Sequence, residues 1–362
     1  MDLGKQNILF FTRTMMLGGT ENVVLQLCEV FKPKVNKIVV CSCGGVNVEK
    51  LTEMGIRHYQ IPDISSKKDI LKICRTVKKI VEKEQITVIH SHHRMAAFYT
   101  EILFGSSIIK IANAHNTFFD KKLLTRFAYR NTKVIAVGEM VKKNLVDYFR
   151  IPEKQVSVIH NAVKPFDGKT VVDPLIEQFH KQGYFVVGNI GRLSEQKGME
   201  FFIKAIPDVA IKHSEVRFVI AGSGEDEEKL KELCKKINVS DYITFLGYRI
   251  DVQNLMSQLD LVVLSSLWEG LPLTPIEAFS VGKTIVATAV DGTVEIIRDG
   301  VDGCLVNPRN SAQIASEICS LMEQTKKRKT MEAQALKKYL SEFTFDALKK
   351  RYIKFYEDMI NG

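Results

Sequence analysis

Two acids, two cations and a group of histidines carry most of the chemistry open to this sequence. Glu269 and Glu277 lie in the stretch Ser265-Ser266-Leu267-Trp268-Glu269-Gly270-Leu271-Pro272-Leu273-Thr274-Pro275-Ile276-Glu277, just after an apolar run at 261–264. Glu269 sits in a Gly/Pro loop beside the sole tryptophan. A carboxylate there can accept hydrogen bonds from sugar hydroxyls, and the amides of residues 270–273 can face a phosphate. Glu277 has a plainer explanation beside any functional one: Thr274-Pro275-Ile276-Glu277 is a capping-box pattern with proline at the first helical position. Arg192 and Lys197 belong to Gly191-Arg192-Leu193-Ser194-Glu195-Gln196-Lys197-Gly198, one at a strand end and the other near the next helix start. A cation at a helix N-terminus is unfavourable unless an anion is near. A guanidinium fork and an ammonium point charge together suit a diphosphate, with solvated surface cations as the alternative.

The histidines cluster in the first half. His90, His92 and His93 follow the apolar pair 88–89, and His115 follows the run 108–114. Four at two neighbouring strand ends favour a site. No carboxylate or cysteine accompanies them at ligand spacing, so a metal fits poorly. Gly18 and Gly19, in Leu17-Gly18-Gly19-Thr20-Glu21, stand between the first strand and first helix. Paired glycines let a backbone approach a ligand closely, and the helix start favours anions; a plain turn is equally open. Neither this loop nor Gly222-Ser223-Gly224 supplies the three glycines of G-x-G-x-x-G, which excludes the dehydrogenase fingerprint.

These residues need strand ends to hold them. Apolar runs at 8–11, 38–41, 88–89, 108–112 and 134–137 predict strands, and a second series follows at 184–190, 217–221, 243–246, 261–264 and 285–287. Helical periodicity separates them. Ile70, Cys74, Val77 and Val81 make one apolar face, with Ser66 and Asp69 as a cap pair. The segment 225–237 carries acids early and lysines late, as the helix dipole favours. Alternation in two blocks predicts an α/β protein with two doubly wound parallel sheets. Pro165, Gly168, Pro174 and Gly183 place the linker at 162–183. The final 50 residues read as charged helix.

Composition narrows the classes. The chain has 362 residues, 45% hydrophobic and 26% charged, which excludes disordered and collagenous chains. Residues 1–170 hold 27 Lys+Arg against 15 Asp+Glu, a net +12, whereas the remainder holds 24 against 27, a net −3. The first block should therefore prefer anionic surfaces. The stretch 118–130, with Phe118, Phe119, Lys121, Lys122, Leu123, Arg126 and Arg130, either lies on an acidic membrane or packs as a helix with a basic outer face. Seven scattered cysteines without C-x-x-C argue for reduced, mostly buried thiols. No apolar run approaches the roughly 20 residues that span a bilayer. The first apolar stretch is too short for a signal peptide, so a cytoplasmic location is expected.

In their order and spacing, these motifs resemble the retaining glycosyltransferases of family 4, which have the GT-B fold. The resemblance spans nearly the whole chain. It rests on Gly18-Gly19, His115, Gly-Arg-Leu…Lys-Gly at 191–198, Gly222-Ser223-Gly224, and above all the Glu-x7-Glu pair at Glu269 and Glu277, followed by Ala278 and Gly282. It implies two facing Rossmann-like domains: an acceptor-binding domain at 1–165, a nucleotide-sugar-binding domain at 166–340, and a terminal helix at 341–362 that crosses back to the first. Arg192 and Lys197 would hold the donor diphosphate, Glu277 the ribose hydroxyls, and Glu269 the donor sugar. Gly270, Leu271, Pro272, Leu273 and Thr274 would line the sugar and distal phosphate. His115 would face the donor sugar from the opposite domain. Gly18 and Gly19 would close over the phosphates, and His90 and His92 would fall on the acceptor side. The chain departs from the family pattern at Asp291-Gly292-Thr293-Val294-Glu295, where a paired glycine followed by a proline is more usual.

The expected activity is transfer of a hexose from a UDP- or GDP-sugar to a hydroxyl of a glycan or lipid-linked acceptor. No metal is expected, because fixed cations can stabilise the leaving diphosphate and the sequence has no D-x-D acid pair. The basic first block suggests peripheral contact with the inner face of the plasma membrane. Two alternatives remain open: a nucleotide-sugar 2-epimerase of the same architecture, and a non-enzymatic protein that binds membrane or polyanions. Nucleic acid is not an expected partner, since the acidic second block interrupts any binding track. Placement alone puts Tyr248 and Arg249 near the base.

Overall fold

The computed structural model describes residues 2–105 and 107–361. The chain divides into two compact units, one formed by the residues up to Asn161 with those from Leu348 onward, the other by Ala162–Ala347. The first contains seven strands: β1 (Asn7–Phe11), β2 (Lys37–Ser42), β3 (Arg57–Gln60), β4 (Val88–Ser91), β5 (Ile109–Ala114), β6 (Lys133–Ala136) and β7 (Val156–Val158). Their order is β3-β2-β1-β4-β5-β6-β7, every pairing parallel. The second contains β8 (Phe185–Ile190), β9 (Val216–Ala221), β10 (Ile243–Gly247), β11 (Leu261–Leu264), β12 (Ile285–Thr288) and β13 (Cys304–Val306). These run in the order β10-β9-β8-β11-β12-β13, again all parallel.

Both are the Rossmann-like α/β sheets that the alternation predicts. Strands covered on both faces by helices read as continuous apolar runs, and Ile8, Leu9, Phe10 and Phe11, like Leu261 to Leu264, are buried almost completely. The three strands that the predicted runs do not include, β3, β7 and β13, lie at sheet edges, although the fourth edge strand, β10, carries a predicted run. An edge strand packs on fewer neighbours, so Arg57-His58-Tyr59-Gln60 pairs through its backbone while its side chains stay partly exposed. Strand order reverses direction between β1 and β4 in one unit and between β8 and β11 in the other. Ligands bind doubly wound sheets beside the carboxyl ends of the strands at such switch points.

Several local expectations change. The helix Ile70–Glu84 buries Ile73, Val77, Ile80 and Val81, so its apolar stripe is rotated from the expected one and Ile70 is exposed. Ser66 donates its hydroxyl to Asp69 at 2.6 Å and caps no backbone amide. The expected linker contains a helix, Pro174–Lys181, capped by Asp173, whose carboxylate accepts from Leu175 N and Ile176 N. Pro174 at its first turn therefore starts a helix rather than a loop. The segment 225–237 is helical over Glu227–Lys236, with its acids first and lysines last. The last helix, Phe345–Asn361, places Tyr352 and Tyr356 among the first unit's buried side chains.

Candidate active site

In the second unit, β8 and β11 are neighbours, and their trailing loops are joined by short bonds. Leu267 N donates to Gln196 O at 2.8 Å. Ser265 Oγ donates to Lys197 O at 3.0 Å and accepts from Asn189 Nδ2 at 3.0 Å. Gly198 turns in the left-handed region, φ 54°, and an added Cβ would lie 2.3 Å from Ser265 O. Gly222 and Gly224 serve the same end: a Cβ on either would come within 1.8 Å of Gly191 O or 2.2 Å of Leu193 O. They let the loop after β9 lie against the loop after β8. This framework aims Lys197 at Glu269, with Nζ 2.5 Å from Oε1. Ser266 Oγ donates to the same oxygen at 2.6 Å. Glu269 is 6% exposed. Its Oε1 takes both bonds, which leaves Oε2 to accept others.

Lys197 thus finds its counter-charge in the protein, which the reading of two unpaired cations did not foresee. Arg192 differs: it is exposed and has no ion pair with any described residue. The helix after the loop runs Leu273–Ser280 with Pro272 as its cap residue and no side-chain capping bond. Thr274 and Glu277 consequently form no capping box, and the structural explanation for Glu277 falls away. Desolvation by burial pushes the Glu277 carboxyl up to about 7, with Lys197 drawing it down, although the residue keeps part of its surface open. Proline has no N–H, so Pro272 shapes the loop without donating. Leu273 and Thr274 head the helix, and their amides have no carbonyl one turn earlier to bond. Arg249 is engaged elsewhere, donating to Asp251 at 2.7 Å and Asp173 at 2.6 Å. Tyr248 remains exposed.

In the first unit, β4 pairs with β5 and brings the histidines together. His90 is buried between Tyr356 Oη, 2.7 Å from Nδ1, and Asn113 Oδ1, 2.8 Å from Nε2. Asn113 Nδ2 donates to Tyr352 Oη at 2.7 Å. An amide oxygen can only accept, so His90 carries its proton on Nε2 and accepts from Tyr356 on Nδ1. His92 Nδ1 lies 3.2 Å from His115 Nε2. His92 Nε2, buried, meets no partner among the described residues. Burial pushes His90 down to about 3 and His115 to about 4, so both are neutral at pH 7. His93 caps the helix Arg94–Leu103, accepting from Met95 N at 3.1 Å. Gly18 precedes the helix Gly19–Phe31, where Thr14 donates to Glu21 in the first turn. Among the described residues, no group of three or more His, Cys, Asp or Glu is arranged to hold a metal ion.

Sequence comparison decides the family. Residues 17–165 match the model of Glycosyltransferase Family 4, and residues 175–338 match that of Glycosyl transferases group 1. The chain belongs to glycosyltransferase family 4. This glycosyltransferase is 27% identical over 302 residues to an uncharacterized glycosyltransferase of Methanocaldococcus jannaschii, covering 77% of each chain. It is 25% identical over 323 residues to the UDP-Gal:alpha-D-GlcNAc-diphosphoundecaprenol alpha-1,3-galactosyltransferase of Escherichia coli, covering 80% and 81%. Among solved structures, it superposes on Anabaena HepE in complex with UDP with a TM-score of 0.84 at 20% identity, covering 98% and 100% of the two chains. A glycosyltransferase from Rickettsia africae gives 0.84 at 18% identity, covering 98% and 99%. Both likenesses fix the GT-B fold.

Within the family 4 enzyme, the structure brings Lys197, Glu269 and Ser266 into bonding contact and leaves Arg192 and Glu277 without side-chain ion pairs. Arg249 is paired with Asp173 and Asp251. Sequence reasoning missed Ser266, Asp291 and the two tyrosines of the last helix. For the tyrosines a signal existed, since Tyr352 and Tyr356 are four residues apart and share a helix face. For Ser266 there was none.

Proposed function

We propose that this glycosyltransferase moves a hexose from a UDP- or GDP-sugar to a hydroxyl of a glycan or lipid-linked acceptor, with retention at the anomeric carbon and without a metal. One observation carries the reading. At the β8/β11 switch point, a part-buried Lys197–Glu269 pair stands with a guanidinium on Arg192 and a carboxyl on Glu277 that have no ion pair among the described residues. Arg192 and the spare protons of Lys197 suit a diphosphate, Glu269 Oε2 suits a sugar hydroxyl, and Glu277 suits the ribose. The amides near Gly270, Leu271, Leu273 and Thr274 suit the distal phosphate. His115, Gly18 and Gly19 take the donor-side roles that the family resemblance gives them.

In the transfer, the acceptor hydroxyl attacks the anomeric carbon from the face the diphosphate leaves. The sugar–phosphate C–O bond breaks with its electron pair on the diphosphate, and the hydroxyl proton passes to a phosphate oxygen. Cations fixed at the diphosphate stabilise charge that grows along this path, and so favour the transition state over the ground state. UDP bound to HepE and the diphosphoundecaprenol-linked acceptor in the E. coli relative's name support this donor and acceptor class.

The acceptor reading extends to the membrane. Phe119 is 73% and Leu123 80% exposed, with Lys121, Lys122 and Arg126 exposed beside them. An apolar and cationic face of this kind suits the cytoplasmic surface of an anionic bilayer. No described helix is long and apolar enough to cross a membrane.

The test is a thermal-shift series with UDP, GDP, ADP and dTDP on the wild type and Arg192→Ala. A bound diphosphate raises the melting temperature by linkage, and the variant should lose most of that rise. An equal rise in both proteins refutes the diphosphate site. Donor consumed without acceptor would point to an epimerase, and activity abolished by EDTA and restored by manganese would refute metal independence. Failure to sediment with acidic vesicles at low salt would remove the membrane contact alone.

A further inference from the structure

We propose that Asp291 is a positioning residue that fixes the backbone of Glu269 and so sets how tightly the second unit grips the donor sugar. This rests on the functional reading above and assigns it a residue that the Glu-x7-Glu motif does not contain.

Asp291 follows β12, the neighbour of β11. Its φ is 35°, a positive value that side chains other than glycine rarely adopt. Its Oδ2 accepts the Glu269 N–H at 3.0 Å. The next residue adds a steric contact: a Cβ on Gly292 would lie 2.0 Å from Gly270 O. The 291–292 turn therefore presses directly on the 269–271 loop. Glu269 is consequently held at both ends, its main chain by Asp291 and its carboxylate by Lys197 and Ser266.

The choice of residue is informative. Glycine, more usual at this place, would adopt the positive φ with no Cβ penalty but could not bond the Glu269 amide. Aspartate tolerates that conformation better than most residues because its short polar side chain bonds locally. Here it bonds across to another loop. The chain accepts a strained backbone at 291 in exchange for an acceptor at the main chain of a buried residue. A small drift of Glu269 would turn Oε2 away from the sugar, while the diphosphate contacts of Arg192 would stay in place. The loss should fall on the sugar and spare the nucleotide.

Asp291→Gly and Asp291→Asn separate conformation from hydrogen bonding. Isothermal titration would use UDP-glucose, UDP-galactose, UDP-N-acetylglucosamine and GDP-mannose, following the one that the wild type binds most tightly alongside its diphosphate, UDP or GDP. D291G should melt within a few degrees of the wild type, the relieved backbone offsetting much of the lost hydrogen bond, bind the nucleotide-sugar about tenfold more weakly, and bind the free diphosphate within about twofold of wild type. D291N, whose side-chain oxygen still accepts, should recover most of the sugar affinity. The proposal is overturned by equal losses for sugar and diphosphate, by unchanged sugar affinity in D291G, by D291N matching D291G, or by a D291G protein that melts well below wild type. A wild-type chain that binds none of the panel overturns the functional reading, and this proposal with it.

Discussion

Glu277 gives the sharpest test, because one substitution should move stability and affinity in opposite directions. Desolvation by burial raises its carboxyl from 4.5 to about 7, with Lys197 opposing. A folded pKa above the unfolded value means the group stabilises the fold fully below about 4.5, and that contribution is lost as pH rises through 7. At 1.36 kcal/mol per unit, and discounting for the surface that Glu277 leaves open, the pH-dependent loss is on the order of 2 kcal/mol. Glu277→Gln removes it. The variant should therefore gain stability relative to wild type between pH 5 and pH 8, readable as the difference in urea midpoints at the two pH values. Donor binding should behave oppositely. A ribose hydroxyl donates best to the ionised carboxylate, of which about a tenth is present at pH 6 and nine tenths at pH 8 for a pKa near 7. Wild-type nucleotide-sugar affinity should rise several-fold over that range, and E277Q should show a flat profile with weaker binding at pH 8. The same pH dependence of stability in both proteins would refute the raised pKa. A flat wild-type affinity profile would refute the ribose role.

Other expectations concern the framework. Lys197→Met leaves the 7%-exposed Glu269 side chain without its cation, at a cost of about 3–5 kcal/mol. Lys197→Met/Glu269→Gln should regain part of the lost melting temperature, and a strictly additive double mutant would refute the pairing. Tyr356→Phe removes the hydroxyl 2.7 Å from His90 Nδ1 and should cost about 1–3 kcal/mol in denaturant unfolding, whereas Tyr248→Phe on the exposed surface should cost nothing measurable. Gly222→Ala forces a Cβ to 1.8 Å from Gly191 O and should abolish soluble folding. Gly183→Ala, at φ 81° with nothing within 4 Å, should lose only about 1–2 kcal/mol, and equal behaviour of the two alanines on expression and melting would refute the close-approach argument.

What the sequence showed and what it hid divide along physical lines. Buried parallel strands advertise themselves as apolar runs, so the strand ends carrying Arg192, Glu269 and His115 could be placed before any coordinates. The edge strand β3, with Arg57 and Gln60 exposed, carries no such run and could not, whereas the edge strand β10 carries one and could. Local patterns misled where two fitted one stretch. Thr274 to Glu277 has the letters of a capping box, yet Pro272 one turn earlier starts the helix, and Pro275 is tolerated because the first turn needs no donor there. Long-range pairings were invisible. Lys197 and Glu269 are 72 residues apart, and Tyr356 is 266 residues from His90. Nothing in one loop announces its partner in another. Lys197, near a helix start, does need an anion, and the protein itself supplies one in Glu269.

That answer strengthens the case for a ligand at this switch point. A cluster built for stability alone would satisfy its own polar groups, because a buried carboxyl without a donor is costly and an apolar or amide side chain of similar size would be more stable. Here Lys197 and Glu269 are satisfied, but burial pushes the Glu277 carboxyl up to about 7, with no bond to its side chain among the described contacts. Arg192 stands exposed on a short loop whose glycines crowd backbone against backbone. Departures from local consistency concentrate where function demands them. These two groups have complementary signs, a cation suited to phosphate and a carboxyl suited to hydroxyls, and they belong to the two loop–helix segments that carry the part-buried Lys197–Glu269 pair. A molecule carrying both a diphosphate and a sugar meets both requirements at once, whereas a simple polyanion would leave Glu277 as a liability.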